Sequence, residues 1–129
     1  MSVIVAVSWG ELIDKISILE IKRERLKNPA QLANVDREYR SLCETRDAAM
    51  PADVDIAESV TSIRAVNEEL WEIEDDIRDC ERDKNFGPRF VELARAVYRT
   101  NDRRAALKRE INDALGSELV EEKSYADYE

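Results

Sequence analysis

Between Ile56 and Arg82 the chain carries a helical repeat, apolar at three- and four-residue steps and interrupted at those same steps by polar side chains. At about 100° per residue, Ile56, Val60, Ile63, Asn67, Leu70, Glu74, Ile77, Arg78 and Glu81 share one face of a single helix, with Trp71 at its margin. An ordinary surface helix turns its charges to water and its apolar stripe to the core. Here Asn67, Glu74 and Arg78 interrupt the stripe itself. Such a segment has to be a long helix, and its neighbours have to satisfy those polar groups. An unpaired charge taken out of water costs several kcal/mol.

The neighbours read as helices too. Ser8-Trp9-Gly10-Glu11 has capping-box spacing and opens a first helix over residues 8–27, with Leu12, Ile16, Leu19 and Leu26 on its main apolar face. Ile18 and Ile21 fall on the other side, so this helix is expected to be covered twice. Asn28-Pro29-Ala30-Gln31 opens a second helix over 29–47, with Leu32, Val35, Tyr39, Leu42 and Cys43 on one face. Pro51 breaks the linker Met50 to Asp55, and Asp55 with Glu58 opens the third helix, over 55–82. Asn85-Phe86-Gly87-Pro88 ends it, and Pro88 starts a fourth over 88–115, closed by Gly116.

Short turns within each pair predict two antiparallel hairpins, and so an all-α helical bundle of four main helices over residues 1–129. Ser2 to Val7 reads as a short extended arm. The acidic tail from Ser117 to Glu129 is expected to pack over the bundle or pair with the arm. Unequal helix lengths predict overhang and a homodimer that buries it.

Composition narrows the function classes. The net charge of −9 opposes binding to a phosphate backbone, so no nucleic-acid partner is expected. There is no His, which removes the commonest general base, and Cys43 and Cys80 alone make neither a zinc nor a redox motif. Both are expected as reduced, partly buried thiols. The opening SVIVAV is short for a signal-peptide core, and no apolar run approaches the roughly 20 residues of a membrane span. A soluble cytoplasmic protein with no membrane partner and no cofactor is expected.

A second polar line answers the first. Asn101, Arg104, Lys108 and Asn112 lie within the apolar stripe that runs from Phe90 to Leu115. Antiparallel pairing sets Asn67 opposite Arg104 and Glu74 near Asn101, with Glu20 of the first helix a candidate to join them. Arg104 and Lys108 are like charges one turn apart and need counterions. Glu74 and Glu20 are the candidates, although Glu74 also has Arg78 at favourable spacing. If neither reaches, spare positive charge beside two amides suits a small anionic metabolite: a sugar phosphate, a nucleotide or a carboxylate. In that reading Asn67, Trp71, Glu74, Arg78, Asn101, Arg104, Lys108 and Asn112 form the site, with Glu20 beside them and Glu74 the best candidate base. The alternative is a structural or protein-interaction module in which the same residues form a salt-bridge network.

Two chemical analogies bear on the choice. Glu11-x-x-Asp14 and Glu72-x-x-Asp75 are similar to the acidic pairs with which all-α nucleotide pyrophosphohydrolases hold magnesium, making metal-dependent hydrolysis a second alternative. Both pairs fall mainly on polar faces, however. An all-α chorismate-mutase-like pocket uses similar residue types, but its motif spacing is not reproduced here.

GELIDKISILEIK, LWEIEDDIR, FVELARAVYRTNDRRAALKREIN and GSELVEEKSY together resemble an uncharacterised bacterial family of small helical proteins, known only as a domain of unknown function. The resemblance runs from Ser8 to Tyr125 and is weakest between about Gln31 and Asp55. It implies a small helical unit, standalone or attached to larger chains, in settings associated with cell-surface polysaccharide biosynthesis. A looser similarity links the Asn67–Arg78 pattern and the Asn-Arg helix after it to another unassigned family. Neither resemblance carries an activity onto these residues.

Overall fold

A computed structural model describes residues 1–128 as four α-helices: α1 (Trp9–Arg25), α2 (Pro29–Ala49), α3 (Ala57–Arg82) and α4 (Pro88–Leu115). The first two start signals cap their helices. Ser8 Oγ accepts from the Glu11 amide at 3.1 Å, and Asn28 Oδ1 accepts from Ala30 and Gln31. At the head of α3 the capping position falls to Ile56, and Asp55 instead accepts from the Ala57 amide at 2.9 Å. Gly116 closes α4 in the left-handed region at φ 60°.

The fold is centred on α1. It packs against α2, α3 and α4, and α3 packs against α4, whereas α2 touches α1 alone. Accordingly α2 buries no residue fully, and Leu32, Val35, Tyr39, Leu42 and Cys43 are half-buried. The second hairpin outreaches α1: the 17, 26 and 28 residues of α1, α3 and α4 correspond to about 25, 39 and 42 Å of helix.

Two apolar clusters result. Ile13, Ile56, Ile63 and Ile111 form one at the end where α1 begins, and Ile73, Cys80 and Leu93 form the other toward the tip of the α3–α4 hairpin. Between them lies a band of buried polar residues: Asp14, Ser17, Asn67 and Thr100. The arm Val3–Val7 is exposed, and the tail lies along α4. Among the described residues, no helix is long and apolar enough to cross a membrane.

Candidate functional site

Close approach of α1 to α4 makes the site possible. Gly10 sits where a Cβ would overlap the Lys108 carbonyl oxygen and lie 3.0 Å from Asn112 Oδ1. With no side chain in the way, the Gly10 amide donates to Asn112 Oδ1 at 2.6 Å. One turn on, Asp14 points into the molecule with 1% of its side chain exposed. Arg104 clasps it with two donors: Nε reaches Oδ1 at 2.9 Å, and Nη2 bonds Oδ2. Asn67 Nδ2 donates to the same Oδ1 at 2.9 Å and to Ser17 Oγ at 3.2 Å. The polar lines of α3 and α4 thus meet on a carboxylate from α1.

Lys108, 12% exposed, donates to Glu11 at 2.7 Å and to Glu121 of the tail at 2.9 Å. Burial is the largest single influence on this amine and by itself lowers its pKa, but hydrogen bonds to Glu11 and Glu121 prevail and the net shift is upward. The hydrogen bond to Asp14 likewise raises Arg104, against the opposing effect of burial. Among the described residues, no buried side-chain nitrogen or oxygen lacks a hydrogen-bond partner.

The expected counterions are therefore corrected. Glu74 bonds Arg78 at 2.9 Å on the exposed side of α3, and Glu20 bonds Arg64 at 2.7 Å; neither reaches Arg104 or Lys108. Asn101 is exposed at a pocket wall, and Asn112 is spent on the Gly10 amide. Of the two acidic pairs, Glu11 and Asp14 are each held by a cation, Glu72 binds Arg25, and Asp75 is exposed. Among the described residues no three His, Cys, Asp or Glu side chains gather as a metal-holding group. Asp14, Ser17 and Gly10 are the residues that the periodicity of α1 did not single out. Their one signal was a Gly-x-x-x-Asp-x-x-Ser line on one face, short of the long charged side chains that usually cover a solvated face.

Two pockets adjoin this cluster. One, of about 420 Å³, lies between α1, α3 and α4. Ile18, Ile21, Leu70 and Trp71 form its apolar lining, and Glu74, Asp75, Arg78 and Arg104 its charged lining. The other, of about 510 Å³, lies between α4 and the tail. Asn101 and Arg104 line both. Six expected site residues, Asn67, Trp71, Glu74, Arg78, Asn101 and Arg104, come together around the first pocket, while Lys108 lines the second.

The fold and the cluster define an all-α helical protein whose central helix supplies the carboxylate of a buried polar layer. The chain belongs to a family of unknown function, DUF6165, whose family model matches residues 3–128. No curated protein and no solved structure matches it.

Proposed function

We propose that the chain binds a small carboxylate-bearing metabolite in the pocket between α1, α3 and α4. One observation carries this reading. Arg104 is fixed through Nε and Nη2 by a buried aspartate, lines the pocket, and has no acceptor for Nη1 among the described residues. A guanidinium held in this way is a pre-oriented donor, so an incoming acid group binds it without first ordering a flexible side chain.

Charge selects among the anions. Asp14 already balances Arg104, and Glu74 and Asp75 line the same pocket, so a doubly charged phosphate is disfavoured relative to a single carboxylate. Ile18, Ile21, Leu70 and Trp71 suit an apolar or aromatic body. Trp71 is also the reporter. In a Trp9→Phe variant it is the sole tryptophan, and titration with benzoate and short aliphatic carboxylates is expected to change its fluorescence and raise the melting temperature. No response to any carboxylate, with unchanged signal at matched ionic strength, rejects the reading.

A second reading, a purely structural network that sets register between helices, is favoured by the complete pairing of the buried polar atoms. It predicts no carboxylate response.

A further inference from the structure

After α4 the chain turns at Gly116 and runs back along the helix it has just left. Ser117 Oγ accepts from the Trp9 amide at 3.2 Å, and Glu122 accepts from Arg109 at 3.3 Å. The Tyr128 hydroxyl donates to Asp102 at 2.5 Å, and its ring meets Tyr98 edge-on at 5.0 Å. The chamber of about 510 Å³ lies beneath this strap. Three of its charged lining residues are cations, Arg104, Lys108 and Lys123, and the other is Asp102, which accepts from Tyr128. Both lysines bind one carboxylate, Glu121, at 2.9 Å for Lys108 and 2.5 Å for Lys123.

We infer that this chamber is an anion site for a phosphate group, and that Glu121 occupies the two lysines until the phosphate displaces it. The inference goes beyond the carboxylate reading and does not depend on it, because the two chambers differ in charge. The inter-helix pocket has two carboxylates, Glu74 and Asp75, against Arg78 and Arg104. This one is lined by a single carboxylate, Asp102, and three cations; Asp14 and Glu11 pair Arg104 and Lys108 from outside the lining, while Lys123 has only tail groups as partners among the described residues.

Displacement is physically accessible. Glu121 is 40% exposed and the Arg109–Glu122 pair more so, and exposed ion pairs hold weakly. A phosphate dianion brings more charge and more acceptor oxygens than the carboxylate it replaces. The rings of Tyr98 and Tyr125 offer flat walls to an aromatic or sugar ester.

The test uses the full chain and its Glu121→Gln variant, with inorganic phosphate and phenyl phosphate titrated against chloride at matched ionic strength. Removing the resident carboxylate is expected to tighten phosphate binding about tenfold, because the open state no longer competes with Glu121. In the unsubstituted chain, phosphate is expected to shift the NMR signals of the Tyr98 and Tyr125 rings, which line the chamber, while the tail stays in place as its outer wall. Adding Lys123→Met to Glu121→Gln is expected to reverse the gain. Tighter binding of phenyl phosphate than of inorganic phosphate assigns the ester, and equal binding assigns the free ion; either supports the site. Equal phosphate affinity with and without Glu121, or phosphate bound with no shift of the Tyr98 and Tyr125 signals, overturns it. Trp71 fluorescence tracks the inter-helix pocket separately, so the two readings fail independently.

Discussion

At the scale of single residues the molecule depends on what Gly10 lacks and what Asp14 carries. Gly10→Ala adds a methyl group against the Lys108 carbonyl, which is backbone and cannot swing aside. Alanine's better helix propensity offsets up to about 1 kcal/mol, whereas overpacking a tight contact costs about 1–3 kcal/mol. Net destabilisation is expected, with a lower urea midpoint at an unchanged slope. Asn67, Arg104, Lys108 and Asn112 were legible as inward-facing because their neighbours at three and four residues are apolar. Asp14 was not. Leu12, Ile16 and Leu19 define one stripe and Ile18 and Ile21 mark a second covered side, but Asp14 belongs to neither apolar set and reads as a surface charge. Apolar stripes alone do not mark every buried position of a helix packed against three others, where Asp14 and Ser17 are buried along with Ile13 and Ile21.

At the scale of elements the tail behaves differently from the helices. Its position rests on ion pairs and tyrosine contacts that have no sequence period, so the sequence showed an acidic segment without showing where it lies. Lys123 and then Lys108, by hydrogen bonding, hold Glu121 down at about 2, below its ordinary 4.5. A depressed carboxylate contributes stability above its unfolded value and loses it as pH falls through the folded one. Docking of the tail is therefore expected intact above about pH 4.5 and lost progressively toward pH 2. The Tyr98–Tyr128 ring cross-peaks should follow that window in the unsubstituted chain, and the Glu121→Gln variant should lack this step. Helix existence was the better-read property. Ser8, Asn28, Pro88 and Gly116 announce their helix ends by local chemistry that needs no tertiary partner.

At the scale of the whole molecule, α1 turns two hairpins into one body. It gives one flank to α2 and the rest to α3 and α4, and places a buried carboxylate between two apolar clusters. Both proposed pockets depend on that layer, because Asp14 fixes the Arg104 that lines them. The all-α bundle was legible from periodicity and caps, but the unequal roles of the helices were not. Which helix becomes central depends on contacts between distant segments, such as Gly10 against Asn112 across the whole chain. A double-mutant cycle on Asp14 and Arg104, read by urea unfolding, tests the arrangement directly. Arg104→Met leaves a buried aspartate without its cation and is expected to cost about 3–5 kcal/mol, with a comparable loss for Asp14→Leu. The double variant, with neither charge, is expected to lose no more than either single variant, giving a coupling of at least about 3 kcal/mol. Losses that simply add would contradict the account.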